Sequence, residues 1–166
     1  IKPRRLVPFD YSQEVYTTLL WAMEGITSYY DTLLTRRAGL MDAGRYLERQ
    51  GEAMTTLAQT PGRSVQPLGD ASCCAWIKYY RQDENTPNSG VSYYLKGELV
   101  GMLLDLELRA ATGGKKSLDD LMRLLWERFG DERGVPEDGI EALASEVAGK
   151  PMQTFFDRAI RGCVEL

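Results

Sequence analysis

Hydrophobic residues recur at helical spacing along most of the chain, whereas strict alternation of apolar and polar residues is nearly absent. The first pattern is typical of amphipathic helices and the second of half-buried strands. We therefore predict an all-α fold, without a sheet of three or more strands. In chain order, helices are expected over 10–37 with a kink at Gly25, then over 42–59, 72–80, 91–111, 117–129, 137–148 and 151–160.

Local signals set these boundaries. Asp10, Asp42 and Ser117 are suited to cap the first, second and fifth helices, because their side-chain oxygens can accept hydrogen bonds from free backbone N–H groups. The polar stretch 81–90 contains proline and glycine and is predicted to be a loop.

The segment 91–111 is the most apolar of the predicted helices. Its middle leaves little polar face, since apolar residues occupy Val100, Met102, Leu103, Leu104, Leu106 and Leu108. A helix that is apolar nearly all round is normally buried. We expect this helix to lie near the centre of the fold.

Composition describes one ordinary globular domain. The 166 residues have 43% hydrophobic and 27% charged content and a net charge of −4. Nucleic-acid binding is disfavoured, because it depends on clustered Lys and Arg and no basic stripe is present. No apolar run approaches the ~18 residues of a membrane span. Cys73, Cys74 and Cys163 lack CxxC spacing and are expected to be reduced, which leaves the compartment open.

The carboxylate of Glu24 is the most informative single feature. It lies in the apolar and aromatic run 21–31, followed at once by glycine. Burying a carboxylate without a partner costs several kcal/mol, so such a residue is usually paired, hydrogen-bonded or bound to a metal. From composition alone, two structural explanations of Glu24 stay open: a buried ion pair, or an exposed glutamate at a helix kink.

Four short sequence motifs, called sequence words below, narrow the choice of protein family. They are PFDY at 8–11, LWAMEG at 20–25, AWIKYY at 75–80 and NSGVSYYLKG at 88–97. In this order they resemble the glycyl aminopeptidase family of gluzincin zinc metallopeptidases, whose members usually carry a PDZ domain after the peptidase domain. The resemblance runs over nearly all of the chain and implies the helical C-terminal part of a thermolysin-like catalytic domain.

The resemblance also implies site residues. Glu24 matches the family's third zinc ligand, and Asp31, two turns further on, is a candidate to orient a histidine ligand. Tyr94 matches the tyrosine that donates to the oxyanion formed from the peptide carbonyl, and is preferred over the adjacent Tyr93. The alternatives are an exposed helical aspartate and packed aromatic residues. Five further aromatic residues are candidates to line the cleft, with a place in the core as their alternative: Tyr29, Tyr30, Trp76, Tyr79 and Tyr80.

One departure from the family pattern changes the expectation for this chain. The sequence contains no histidine, so it cannot supply the HExxH helix, which the family places just upstream of Ile1. We expect residues 1–166 to be one helical domain cut from a larger catalytic domain, inactive alone and not binding zinc alone. The expected partners are the N-terminal part of the same polypeptide, a following PDZ domain and a peptide substrate. Self-association is expected at the apolar face near Glu24 and Tyr94.

Two functions follow. The favoured one is a zinc aminopeptidase that removes small N-terminal residues, glycine or alanine, from peptides, with the zinc ion held by the full-length protein. The alternative is a non-catalytic helical interaction or scaffold domain that keeps a peptidase-like fold.

Overall fold

Helices form the whole regular structure of residues 1–165, the part of the chain that the computed structural model describes. No β-strand occurs among these residues; an isolated bridge joins Pro3 and Val135. The helices are α1 Ile26–Arg37, α2 Ala43–Ala58, α3 Leu68–Cys73, α4 Thr86–Ser89, α5 Leu95–Ala111, α6 Leu118–Phe129, α7 Gly139–Ala148 and α8 Gln153–Phe156. There are also three π-helical turns, Trp21–Gly25, Ala75–Tyr79 and Asp157–Arg161, and two 3-10 turns, Arg4–Leu6 and Pro61–Ser64. The predicted all-α fold is confirmed.

Helix α5 lies at the centre, as its composition predicts. Leu99, Val100, Leu104 and Leu108 are at most 4% exposed. Helices α1, α2, α6 and α7 all pack against it. Within residues 1–165, no helix combines the length and the apolarity needed to cross a membrane.

Asp105 fastens three helices around this core. Its side chain is only 5% exposed and accepts hydrogen bonds from Tyr29 Oη on α1 at 2.9 Å and from the Leu118 amide of α6 at 2.7 Å. Arg109 Nε, one turn along α5, pairs with the same carboxylate at 3.1 Å. A buried carboxylate is tolerated here because its oxygens are hydrogen-bonded and its charge is paired.

The prediction of a first helix from Asp10 is wrong. Asp10 forms a turn instead, accepting from the Ser12 amide at 2.9 Å, and helical geometry begins only in the turn Trp21–Gly25. Residues before it are held by Glu137, which accepts from Thr17 Oγ1 at 2.7 Å and from the Thr18 amide at 2.8 Å. These long-range hydrogen bonds satisfy backbone and side-chain groups that a helix would otherwise use.

Smaller boundaries also differ from prediction. The predicted helix 72–80 is divided between α3, Leu68–Cys73, and the π-helical turn Ala75–Tyr79. The core helix begins at Leu95 rather than 91, since the Val91 amide donates to Gln66 Oε1 at 3.0 Å instead of entering a helix. Residues 151 and 152 precede the last helix, and the predicted loop 81–90 contains the single helical turn α4.

The caps at Asp42 and Ser117 are confirmed. Asp42 accepts from the Arg45 amide at 2.8 Å. Ser117 and Asp120 form a capping box, in which the Ser117 amide donates to Asp120 Oδ2 at 2.9 Å.

Removing the Ser117 hydroxyl should therefore destabilise the fold modestly. Ser117→Ala is expected to lower the free energy of unfolding by about 1 kcal/mol, the usual cost of losing an N-cap. Urea denaturation followed by circular dichroism measures it. Thr55→Ala, an exposed mid-helix hydroxyl in α2, is the control and should change the free energy of unfolding by less than about 0.5 kcal/mol. Equal effects for the two variants would contradict the capping role.

Candidate active-site cleft

The closest approach of two backbones in the site region occurs between the turn Trp21–Gly25 and the start of α5. A Cβ atom at Gly25 would lie 2.4 Å from Gly97 Cα, and one at Gly97 would lie 2.9 Å from the Trp21 carbonyl oxygen. Only glycine fits where two backbones come this close. The crossing brings Glu24, next to Gly25, towards Tyr94, three residues before Gly97.

The turn itself is anchored at its first residue. Trp21 is 1% exposed, and its amide donates to Ser72 Oγ of α3 at 3.0 Å. The Ser72 hydroxyl in turn donates to the Leu68 carbonyl at 3.1 Å. Because this amide has a fixed acceptor, the turn starts at a defined place beside the cleft.

Glu24 opens onto a cleft of about 550 Å³. Two phenols, those of Tyr80 and Tyr93, line it together with the carboxylate. The other walls are mainly apolar and come from Leu6, Phe9, Val15, Leu20, Ala75 and Trp76, with Thr17 and Ser72 adding hydroxyl groups. An apolar concavity with a few convergent polar groups is the usual form of a small-molecule or substrate site.

The Glu24 carboxylate has no partner within residues 1–165. The residue is half-buried, yet its side-chain oxygens accept no hydrogen bond there and no Lys or Arg nitrogen of these residues lies within 4.0 Å of them. Its backbone carbonyl, in contrast, accepts from Ser28 Oγ at 2.9 Å. The side chain thus serves neither of the structural roles, ion pair or hydrogen bond, that normally explain a partly buried glutamate.

The tyrosines beside Glu24 form one aromatic cluster. Tyr93 is 2% exposed, its hydroxyl lies 3.1 Å from that of Tyr80, and its ring centroid lies 4.7 Å from that of Tyr94. Burial raises the pKa of Tyr93, and the hydrogen bond with Tyr80 adds to the rise. Burial likewise raises the pKa of Tyr94, and the negative charge of Glu24 contributes. Both phenols therefore stay protonated at neutral pH and can donate a hydrogen bond.

The predicted site residues lie at different distances from the cleft. Tyr94 is near enough to Glu24 to feel its charge, but it is the neighbouring Tyr93 that lines the cleft. Asp31 is exposed and lies about 10 Å from Glu24 along the helical run, at 1.5 Å per residue. Which phenol serves as donor, and whether Asp31 orients a ligand, stay predictions.

Sequence reasoning named part of the aromatic wall and missed the rest. Trp76 and Tyr80 were among the expected aromatic residues, and both line the cleft, each 59% exposed. Tyr29 and Tyr30 were also candidates, yet their hydroxyls bind Asp105 and Asp119 elsewhere. Phe9 was missed as a wall residue, although it falls within the word PFDY.

A metal ion needs more donors than residues 1–165 bring together. No group of three or more His, Cys, Asp or Glu side chains in this part of the chain could hold one. Zinc sites usually have at least three protein ligands, and Glu24 offers one. The donor set of these residues does not fit a zinc ion without further ligands.

Comparison with known proteins relates this chain to peptidases. An aminopeptidase N family protein from Idiomarina loihiensis has a solved structure that matches all of this chain with a TM-score of 0.95 at 35% sequence identity. This chain spans 28% of the length of that protein chain. No curated protein matches significantly.

A family model assigns the chain more narrowly than the structural comparison does. The sequence model of the M61 glycyl aminopeptidase family matches residues 1–100 of this chain. These residues include Glu24, Tyr94 and all four sequence words. The chain belongs to the M61 glycyl aminopeptidase family, as the sequence words predict. M61 is a metallopeptidase family, so a metal ion is indicated for its members.

Proposed function

We propose that this chain is the helical part of the catalytic domain of a zinc aminopeptidase that releases small N-terminal residues, glycine or alanine, from peptides. The observation that carries the proposal is Glu24, a half-buried carboxylate without a hydrogen bond or ion pair in residues 1–165, facing a cleft of about 550 Å³. No hydrogen bond or ion pair within residues 1–165 gives this carboxylate a structural role, whereas the role of a zinc ligand would account for it.

The proposal requires a second part of the same polypeptide. Glu24 supplies one carboxylate oxygen, and the remaining ligands are imidazoles from sequence outside residues 1–166, because the chain has no histidine. The 28% coverage of the Idiomarina loihiensis protein supports a division of the site between this chain and a longer polypeptide. By itself the 166-residue chain is expected to be inactive.

The tyrosines supply the other half of the proposed chemistry. When a nucleophile attacks a peptide carbonyl, its oxygen gains negative charge, and a fixed donor aimed at that oxygen stabilises the transition state. The proposed donor is the protonated phenol of Tyr94 or that of Tyr93 beside it. Two observations support the proposal: the charge of Glu24 acts on Tyr94, and Tyr93 lines the same cleft as Glu24. The apolar walls around Phe9 and Trp76 help to exclude water from the reacting bond.

The preference for glycine rests on the family description, whereas the extension to alanine and the PDZ domain rest on the resemblance. A PDZ domain following in the same polypeptide and a peptide substrate are the proposed partners.

The test uses the longest natural polypeptide that contains this chain. It should hydrolyse glycyl and alanyl p-nitroanilides faster than the leucyl compound, lose the activity on dialysis against a chelator, and regain it with Zn²⁺. The release of p-nitroaniline is followed by absorbance. Absence of hydrolysis with zinc present would favour the non-catalytic scaffold, and activity that survives chelation would contradict the zinc assignment.

A further inference from the structure

Lys96, on α5 directly before Gly97, is a buried lysine that has no anionic partner among residues 1–165. Its side chain is among the largest fully buried ones, and the residue is 1% exposed. Lysine is almost never fully buried unless it is paired. The adjacent Gly97 packs closely on Trp21 and Gly25, which holds this first turn of α5 against the neighbouring backbone.

The ammonium group of Lys96 is poorly satisfied. A lysine has three N–H donors, and Nζ here contacts one acceptor, the Arg63 carbonyl oxygen at 3.5 Å. Among residues 1–165 no carboxylate oxygen lies within 4.0 Å of Nζ; the nearby Glu165 pairs with Arg63 at 2.8 Å. Burial lowers the pKa of Lys96, in keeping with a charge that lacks a counterion.

Beside Lys96 lies a pocket of about 250 Å³. One end is polar and is formed by Lys96, Arg63, Ser64, Cys163 and Glu165; the walls are apolar and consist of Met54, Leu57, Ala58, Leu99, Met102, Leu103 and Val164. The mouth is open, since Met54 is 46% and Val164 is 48% exposed. The pocket shares no lining residue with the cleft of Glu24.

Charge and shape together select a class of ligand. Because Arg63 is neutralised by Glu165, the polar end offers one uncompensated positive charge, which suits one carboxylate better than a doubly charged phosphate. The apolar walls favour an aliphatic tail, for which the volume of about 250 Å³ leaves room.

We propose that this pocket binds a small monocarboxylate with an unbranched aliphatic tail. The carboxylate pairs with Lys96 Nζ, and the tail lies along Met54, Leu57 and Met102 towards the open mouth. This site is independent of the proposed peptidase function.

Calorimetric titration of the 166-residue chain with octanoate tests the proposal, with 1-octanol as the uncharged analogue of the same length. A buried charge-assisted hydrogen bond is expected to make octanoate bind about tenfold or more tightly than octanol. Lys96→Met keeps the apolar length of the side chain without the charge and should abolish this difference. Equal binding of the two compounds, or octanoate binding that survives Lys96→Met, would show an unspecific apolar pocket and overturn the proposal.

A second measurement needs no variant. Cys163 lines the pocket, whereas Cys73 and Cys74 lie outside it, and all three carry free, partly exposed thiols. Saturating octanoate should slow the alkylation of Cys163 by iodoacetamide, as read by peptide mass spectrometry, and leave Cys73 and Cys74 unchanged. Unaltered labelling of Cys163 would refute occupation of the pocket.

Discussion

Gly25→Ala is expected to be among the most destabilising single substitutions in this chain, lowering the free energy of unfolding by about 3 kcal/mol or more. Its added methyl group would lie 2.4 Å from Gly97 Cα and 2.5 Å from the Gly97 carbonyl carbon, both backbone atoms that cannot rotate away. Overpacking of a core commonly costs 1–3 kcal/mol and more where backbones must separate. Denaturant unfolding of purified wild-type and variant protein measures the loss.

Two other helical glycines separate this clash from a general effect of alanine. Gly101, one turn beyond Gly97 on α5, would place a methyl group in ordinary contact, 3.5 Å from the Ile26 side chain, and Gly51 on α2 faces open space. Alanine at either position should be neutral or stabilising by up to about 1 kcal/mol, because it favours helix. A Gly25→Ala variant as stable as these two would mean that the crossing is looser than described.

Much of the fold follows from local sequence signals. The core helix is recognisable because its middle is apolar all round, and the caps at Asp42 and Ser117 are recognisable because the chemistry of an N-cap is local. The irregular course of residues 10–19 cannot be recognised in this way. Thr17 and Thr18 in this segment donate hydrogen bonds to Glu137, which is about 120 positions away in the sequence. Sequence periodicity carries no information about such a distant acceptor.

The candidate site was predictable at its centre and not at its walls. Family resemblance singled out Glu24 and Tyr94, and Gly97, which ends the last of the four sequence words, packs directly on Gly25. Phe9 and Tyr93 line one cleft because the segments 6–24 and 72–80 and the residue Tyr93 pack together, which local sequence does not predict.

The start of α5 borders two separate concavities. Tyr93, two residues before the helix, lines the cleft of Glu24, and Lys96 in the first turn lines the pocket near Arg63. Gly97 follows Lys96 directly and packs on Gly25. Damage at Gly25 should therefore disturb ligand binding in both concavities.

Glu24→Gln should abolish most of the peptidase activity in the longest natural polypeptide that contains this chain. Glutamine keeps the shape but removes the negative charge and much of the metal affinity. Replacing residues that merely support a metal ligand costs 10- to 100-fold, so losing a ligand should lower kcat/KM by about 100-fold or more. Hydrolysis of glycyl p-nitroanilide gives kcat/KM, and elemental analysis after dialysis gives the zinc content, which should fall in parallel.

Stability separates a ligand from a structural glutamate in this experiment. Because the Glu24 carboxylate has no hydrogen bond or ion pair within residues 1–165, Glu24→Gln in the metal-free 166-residue chain should change the free energy of unfolding by less than about 0.5 kcal/mol. Glu127→Gln, which removes an equal charge from an exposed position on α6, is the matched control and should leave activity, zinc content and stability unchanged. Full activity in Glu24→Gln would remove Glu24 from the site. A large loss of stability with normal zinc content would instead assign it a structural role, since a metal ligand couples activity to zinc while leaving the metal-free fold intact.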